Sequence, residues 1–489
     1  MLGPSQFKFL NLERQLAFPG DWNAADLEKL WTYNLHYFDD LNAKGAETRR
    51  SWHNALILQW IRENPPGAGA GWEPYPLSLR IVNWIKWARG GNDLCPAALQ
   101  SLAVQIRYLS KRLEYHLLGN HLFENAKTLV FAGLFFSGEE ADVWFHSGMS
   151  LLSKQLEEQV LADGGHFELS PMYHALILEG LIDLFNLFHA YHINPPDSWR
   201  GLVSSMMDWL ECMCHPDGGI SFFNDATFGI APPLTALEQY AESLDLAGKQ
   251  AAAGARLLES SGYARLELGQ AVVLADVAAI GPDYLPGHAH ADSLSFEMSL
   301  CGRRILVNSG TSVYGGGLER QRQRGTAAHN TLQIDGADSS EVWSGFRVAR
   351  RARVRVEQFD TISGIRLAAS HDGYQRLGGR PVHRRAWTLN PRELIVSDTV
   401  EGSGLHSANV RFHFHPDCRI LPHGPAAYTV TGPDNSVVIH VLSDPKMRWQ
   451  VENTAWHPGF GLREPNLCLS LSYEGLLPMH VITKFVWEE

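Results

Sequence analysis

The feature that most constrains this sequence is a change of hydrophobic periodicity near residue 260. From Asp26 to about Ser260, apolar residues recur every three or four positions, as in SLRIVNWIKWARGG and YHALILEGLIDLFNLFHAYH, which is typical of helices with a buried face. Clusters of Gly, Pro and Asp separate these segments, and such short connections predict that roughly ten helices pair as hairpins. Residues 1–260 are therefore predicted to form an all-α toroid or solenoid.

Beyond this point the apolar residues alternate with polar ones. Runs such as RARVRVEQF, NVRFHFHP and SVVIHVLS are separated by turn signals that include DG, NP and GPDN. Alternation with a period of two is the pattern of half-buried strands, and many short strands at this spacing favour a sandwich. Residues 261–489 are therefore predicted to form an antiparallel β-sandwich.

The charge and hydropathy of the chain exclude two classes of partner. A formal net charge of −12 over 489 residues argues against general nucleic-acid binding. No apolar run reaches the length of a membrane-spanning helix, so no membrane insertion is expected. The first residues, MLGPSQFKFLNLERQ, lack the basic head and apolar centre of a signal peptide. This predicts a cytoplasmic protein or a chain that starts after a removed segment.

One segment reverses the acidic balance of the chain. Between Arg320 and Arg385 there are 13 arginines and no lysines, against six acidic residues. A solvated charged face usually mixes both signs and uses lysine too, whereas arginine is suited to bidentate capture of carboxylate or sulfate. The excess favours an anionic partner.

Three histidines and an aspartate stand out within Gly287 to Leu332. His288 and His290 form an H-x-H pair, Asp292 follows two residues later, and His329 lies in AAHNTL. If the first three occupy an extended strand, their side chains share one face, because the side-chain period of a strand is two. The pattern indicates a functional site, with hydrogen-bonded structural histidines in a sheet as the alternative.

Four stretches of the helical half carry more polar and aromatic residues than helix packing requires. They are LWTYNLHYFDD, GWEPYPLSLR, GNHLFENAKTLVFAG and GGHFELSPMYHALILEG. Each could be an amphipathic helix edge or a helix cap. As functional stretches they offer Tyr37, Trp72, Arg80, Asn120, His121, Glu124, Glu168 and Tyr173.

Together with FFNDA, GHAHADSLSFEM and AAHNTL, these stretches occur in the order seen in the heparinase II/III family of polysaccharide lyases. The chain resembles that family, and most closely its heparinase III-like branch. The resemblance implies an N-terminal incomplete α/α toroid followed by a C-terminal antiparallel β-sandwich. It also implies β-elimination on an anionic polysaccharide that contains uronic acid, either heparan sulfate-like or a bacterial exopolysaccharide.

The resemblance also implies roles for individual residues. Asn120 and His121 match the residues that neutralise the uronate carboxylate. Tyr173 matches the catalytic tyrosine, as the acid and possible base, and His288 matches the catalytic histidine of the β-domain. The residues expected to bind substrate or support its binding are Glu124, Arg80, Tyr37, Trp72, Asn224 and Arg324.

A structural divalent metal (Zn, Ca or Mn) in the β-domain is a further implication of the resemblance. His290 and His329 match two of its ligands. The third ligand is usually an aspartate, and that position falls on Asn308, whose neutral amide is a weaker ligand than a carboxylate. The resemblance also implies a periplasmic location, with the cytoplasm as the alternative.

Two other functions stay open at this stage. A glycoside hydrolase on an α/α toroid needs two carboxylates across the scissile bond, and Glu124, Glu168 and Asp225 are candidates. A non-enzymatic sugar-binding or assembly protein of an exopolysaccharide pathway is the second alternative.

Overall fold

The structure of this protein is a computed structural model that describes residues 1–246, 254–362, 364–424, 426–432 and 437–488. The chain begins with a hairpin of strands β1 (Gln6–Phe9) and β2 (Leu12–Gln15). The helices that follow are α1 (Lys29–Tyr37), α2 (Arg50–Glu63), α3 (Pro74–Arg89), α4 (Pro96–Leu109), α5 (Gly119–Phe135), α6 (Glu139–Gln159), α7 (Pro171–Ala190), α8 (Asp197–Met213) and α9 (Leu234–Glu242). The helical prediction for the first half is confirmed.

Strands dominate the described residues of the second half, which also contain the short helix α10 (Leu318–Arg324). The strands are β3 (Arg256–Leu258), β4 (Tyr263–Leu268), β5 (Ala271–Asp276), β6 (Phe296–Leu300), β7 (Arg303–Leu306), β8 (Leu332–Ile334), β9 (Val342–Trp343), β10 (Arg347–Val348), β11 (Val354–Asp360), β12 (Ile365–His371), β13 (Val382–Asn390), β14 (Glu393–Glu401), β15 (Leu405–His413), β16 (Arg419–Gly424), β17 (Ala427–Thr431), β18 (Val438–Ser443), β19 (Arg448–Trp456), β20 (Glu464–Leu476) and β21 (Met479–Trp487). The paired strands described below are antiparallel, as predicted.

Three larger sheets share one apolar core. Their strand orders are β11-β12-β13-β14-β21-β18-β17-β16, then β19-β20-β15-β8, and then β3-β4-β5-β6-β7. Buried and partly exposed residues alternate along β14 and β21, so each strand turns one face to the core. Side chains of all three sheets, such as Phe296, Trp387 and Phe412, belong to the same buried cluster.

The sequence explains where several helices begin and which are buried. Proline occupies the first turn of α3 and α4, where its missing N–H group costs nothing. Helix α5 is buried along most of its length, which explains its apolar sequence after the polar start. No helix in the described part of the chain is both long enough and apolar enough to cross a membrane.

The chain divides into two compact units. The first comprises Met1–Gln159 and Gly180–Pro195, and the second comprises Val160–Glu179 and Pro196–Glu489. The division passes through α7, so the first turns of that helix, including Tyr173, belong to the second unit together with the sheets.

Candidate active site

Loops of the second compact unit converge on one buried carboxylate, Asp225. It accepts hydrogen bonds from His288 Nδ1 and His290 Nε2, both at 2.9 Å, and from Thr311 Oγ1 at 3.2 Å. The Arg320 guanidinium donates through both terminal nitrogens, with Nη2 at 2.7 Å from Oδ2. Asp225 therefore fixes two histidines from one loop against an arginine of α10.

The charge state of this cluster follows from its contacts. Burial by itself would raise the pKa of Asp225, but the Arg320 charge and the hydrogen bonds from His288 and His290 outweigh burial and hold that pKa well below its usual range. Burial opposes the charge of Arg320, but Asp225 raises the pKa of the guanidinium. The two groups form a buried ion pair whose remaining polar atoms are also hydrogen-bonded, which is the condition for tolerating such a pair.

Tyr173 lies beside His288. Their ring centroids are 3.9 Å apart, with 31° between the planes. The Tyr173 hydroxyl lies 2.9 Å from the hydroxyl of Tyr314. The Ser170 hydroxyl accepts from the Tyr173 amide at 3.2 Å and donates to the Asp225 carbonyl, so the first turn of α7 is tied to the Asp225 loop. A phenol ring and an imidazole ring are thus held next to each other by α7 and the loop that carries His288.

The hydrogen bond to Asp225 selects the tautomer of His288. When Nδ1 carries the proton and donates to the carboxylate, Nε2 of the neutral ring is an acceptor. The Nε2 atom lies 3.7 Å from Oε2 of Glu168, and the His288 side chain is 17% exposed, whereas that of Asp225 is fully buried. Solvent or a ligand can therefore reach His288 but not the carboxylate that positions it.

The prediction that His288, His290 and Asp292 share a strand face is wrong. These residues lie in a loop that ends before β6. The His290 amide donates to Asn224 Oδ1 at 3.0 Å, and the Ala291 amide donates to the Arg324 carbonyl at 2.8 Å. Because these amides bind side-chain and loop acceptors, they are not available to a strand ladder.

His290, Asp292 and His329 form a second cluster, in which one possible ligand atom from each residue lies within 4.8 Å of the others. The His290 Nδ1 atom is buried and has no hydrogen-bond partner among the described residues. The ring nitrogens of His329 have no hydrogen bond of normal geometry with described residues, although the Gln323 carbonyl lies near enough to influence the ring. Buried polar atoms without partners are costly, so this cluster fits a metal ion.

Electrostatics give the same indication. Burial lowers the pKa of His290 to about 4 and that of His329 to about 3, so both rings are neutral, as metal ligands must be. Burial raises the pKa of Asp292, and burial together with the Asp292 charge raises that of Asp276. A bound cation would supply the positive charge that these two acids lack. His290 Nε2 donates to Asp225, and a carboxylate bound to the second ring nitrogen is the usual partner of a metal-bound histidine.

Asn308 was predicted as the third metal ligand. It is fully buried, and its backbone amide donates to Glu297 Oε1 at 2.7 Å. Its side-chain oxygen accepts from the Asn330 amide at 3.3 Å, and its Nδ2 atom has no hydrogen-bond partner among the described residues. The ligand role of Asn308 stays a prediction, while Asp292 offers a carboxylate beside His290 and His329.

Asn120, His121 and Glu124 lie in the first compact unit, on the first turns of α5. Asn120 and Glu124 are buried, and the Glu124 carboxylate is paired with Lys127 at 2.7 Å. The His121 side chain is 31% exposed, and its Nδ1 atom lies 3.2 Å from Glu114 Oε1. His121 is thus open to a ligand, while the charge of Glu124 is already neutralised.

Arg80, Trp72 and Tyr37, also in the first unit, were predicted to bind substrate. Arg80 is fully buried and donates to Gln105 Oε1 and to the carbonyls of His36 and Gly71. Trp72 and Tyr37 are 3% and 7% exposed. Because Arg80 is committed to Gln105 and to two backbone carbonyls, we assign it to holding the backbone together. Substrate contact by Trp72 and Tyr37 stays a prediction.

Asn224 and Arg324, in the second unit, are also buried. Asn224 donates from Nδ2 to the Leu169 carbonyl at 2.8 Å and accepts from the His290 amide. Arg324 donates to the Ala289 carbonyl at 2.9 Å. Both residues position the histidine loop, and their contact with substrate stays a prediction.

Sequence reasoning missed several members of the site. Asp225 was considered only as a hydrolase carboxylate, and Asp292 only as a neighbour of the histidines. Tyr314 and Arg320 were not identified individually. Arg320 lies in the arginine-rich segment and Asp225 in FFNDA, but nothing in the sequence pairs them.

Helices followed by antiparallel sheets, with a tyrosine and a histidine in contact, match the architecture and the residue pair expected of a toroid-and-sandwich lyase. The crystal structure of heparinase III superposes on the chain with a TM-score of 0.81 at 18% identity, covering 96% of this chain and 79% of that one. The fold prediction is confirmed. Sequence profiles described as "Heparinase II/III N-terminus" and "Heparinase II/III-like, C-terminal" match residues 45–246 and 251–482. The chain belongs to the heparinase II/III-like family of polysaccharide lyases.

Two relatives with different names are similar to the chain. "FtsZ-localized protein C" of Caulobacter vibrioides is 25% identical over 454 residues, covering 86% of this chain and 76% of that protein. "Heparin-sulfate lyase" of Pedobacter heparinus is 27% identical over 315 residues, covering 56% of this chain and 46% of that protein. The match thus spans about half the length of the Pedobacter lyase.

Proposed function

We propose that this protein cleaves an anionic, uronic-acid-containing polysaccharide by β-elimination. The observation that carries the proposal is the Tyr173–His288 pair, with ring centroids 3.9 Å apart and His288 held in one tautomer by Asp225. The chemistry requires a base for the proton at C5 and an acid for the leaving glycosidic oxygen. The pair offers one acceptor, His288 Nε2, and one donor, the Tyr173 hydroxyl.

In the proposed reaction, His288 Nε2 takes the C5 proton and Tyr173 protonates the departing oxygen. The C5 carbanion is tolerable only if the uronate carboxylate is neutralised as charge develops. By family resemblance Asn120 and His121 supply that neutralisation, with Glu124 as a supporting residue. Elimination leaves a double bond between C4 and C5 of the new non-reducing end.

The substrate is proposed to be heparan sulfate-like or a bacterial exopolysaccharide. The name of the Pedobacter relative supports the first, and the arginine excess between Arg320 and Arg385 supports an anionic polymer in general. A hydrolase mechanism is less well supported. Asp225 is already bound by Arg320 and two histidines, which leaves it a poor nucleophile or base.

The test is a panel of uronate polymers that includes heparan sulfate, chondroitin sulfate, hyaluronan and alginate. Near-ultraviolet absorbance reports the unsaturated product, and a reducing-end assay reports every cleavage. The proposal expects both signals to rise together on at least one polymer. Reducing ends without absorbance would establish a hydrolase instead.

A non-catalytic binding or assembly protein of an exopolysaccharide pathway is the second candidate. The similarity to FtsZ-localized protein C favours it, because that name describes a location and no reaction. Binding to a panel polymer with neither signal, even after long incubation at high enzyme concentration, would support this candidate.

A divalent metal is proposed at His290, Asp292 and His329. After dialysis against Zn²⁺ the protein should retain a stoichiometric amount, measured by elemental analysis. Zn²⁺ at about 100 times its dissociation constant should stabilise the fold by about 2.7 kcal/mol, measured by thermal unfolding. His329→Ala should abolish both effects, while His480→Ala, at an exposed histidine of β21, should leave them unchanged. Identical melting with Zn²⁺ and with a chelator would count against the site.

A further inference from the structure

A short hairpin presents exposed aromatic rings next to the Tyr173–His288 pair. Strands β9 and β10 form it, and we call residues 341–350 the aromatic hairpin. Trp343 is 55% exposed and Phe346 is 42% exposed. Two exposed aromatic rings on one hairpin form an apolar platform on which a ligand can stack.

The aromatic hairpin is held rigidly by side chains of α10. Arg320 Nε donates to the Gly345 carbonyl at 3.0 Å, and Arg324 Nη1 donates to the Ser344 carbonyl at 3.1 Å. Gln321 Nε2 also donates to the Ser344 carbonyl. Because both arginines are fully buried, their hydrogen bonds anchor the turn of the hairpin from the protein side.

The register of the hairpin places an arginine beside the exposed tryptophan. Trp343 is directly opposite Arg347 in the β9–β10 pair, and side chains at directly opposed positions lie on the same face. Arg347 is exposed, and its guanidinium has no hydrogen-bond or ion-pair partner among the described residues. An open indole and an open guanidinium therefore lie next to each other.

The same anchors connect the aromatic hairpin to the catalytic pair. The Phe346 ring centroid is 6.0 Å from that of His288 and 5.3 Å from that of Tyr314. Arg324 donates both to hairpin carbonyls and to the carbonyl of Ala289, the residue after His288. The turn of the hairpin therefore lies close enough to His288 for a sugar that flanks the cleaved one to reach it.

We propose that the aromatic hairpin is a subsite for a sugar unit flanking the one that is cleaved. Trp343 stacks on the apolar face of the sugar, and Arg347 pairs with its carboxylate or sulfate in bidentate geometry. The inference rests on the proposed function for the identity of the ligand. The proposed subsite gives different roles to arginines of the arginine-rich segment. Arg320 and Arg324 hold the hairpin in place, and Arg347 contacts the ligand.

The test measures binding and turnover separately. Binding of heparan sulfate oligosaccharides, short and long, is measured by calorimetry on Tyr173→Phe protein, so that no ligand is consumed. Adding Trp343→Ala or Arg347→Ala is expected to weaken binding of the long oligosaccharide about tenfold, the effect of losing one stacking contact or one charge-assisted contact, respectively. In protein that retains Tyr173, each of the two substitutions should raise KM by a similar factor and change kcat less than about twofold.

Salt and conservative variants identify the contacts. The loss caused by Arg347→Ala should shrink as salt rises, because screening weakens the ionic contact, whereas the loss caused by Trp343→Ala should not. Trp343→Phe and Arg347→Lys should each restore part of the affinity. Arg448→Ala, at an exposed arginine of β19, and Leu405→Ala, at a 76% exposed leucine, are the controls and should bind as the parent does.

The outcomes separate this inference from the proposed function. Parent-like binding by both hairpin variants would overturn the subsite even if the enzyme cleaves the polymer. Weakened binding without any cleavage by the wild type would support the subsite and overturn the lyase. If no polymer of the uronate panel binds at all, the subsite is overturned.

Discussion

Tyr173→Phe is expected to reduce turnover of the polymer by about 10²–10⁴-fold, the usual contribution of a positioned acid or base. The substitution removes only the hydroxyl that lies 2.9 Å from Tyr314 and keeps the ring that contacts His288. Substrate affinity and the melting temperature should therefore change little. Initial rates of near-ultraviolet absorbance, with affinity measured by calorimetry, check the prediction.

The matched control is Tyr428→Phe, at a tyrosine of β17 that stacks on Trp449. This substitution also removes one tyrosine hydroxyl, but from another part of the second unit, and it should leave turnover unchanged. Tyr314→Phe is expected to give an intermediate loss, because it removes the hydrogen-bond partner of the Tyr173 hydroxyl without removing the hydroxyl itself. Wild-type turnover by Tyr173→Phe would refute the assigned role.

Asp225→Asn is expected to lower the free energy of unfolding by about 3–5 kcal/mol, the cost of leaving one member of a buried ion pair uncompensated. Arg320 is fully buried and depends on this carboxylate for its charge partner. An amide of the same shape cannot accept the hydrogen bonds of Arg320, His288 and His290 together. Urea unfolding followed by circular dichroism measures the change.

Glu357→Gln provides the matched comparison for this substitution. Glu357 pairs with Arg384, and both side chains are about one-third exposed, so solvent screens the pair and its loss should have only a small effect. If Asp225→Asn were no more destabilising than Glu357→Gln, Asp225 would not be the organising group of the site.

Local signals were enough to predict the fold and the motif residues. Helices such as α3 and α7 and strands such as β14 follow from side-chain periodicity, which is a property of the local backbone. The approach of Tyr173 to His288 was also expected, since both residues lie in motifs that run in the order of the family. Such inferences need no knowledge of which distant groups meet.

The sequence by itself determined the order of helices and strands, the family, and the residue types available for acid–base chemistry. Only the tertiary structure decided how they are used. It buried Arg80, folded the histidine segment as a loop, and placed Asp292 with His290 and His329. The physical reason is that hydrogen-bond and charge partners are chosen in space: Asp225 and His288 are 63 residues apart in the chain, and no local pattern records that they meet.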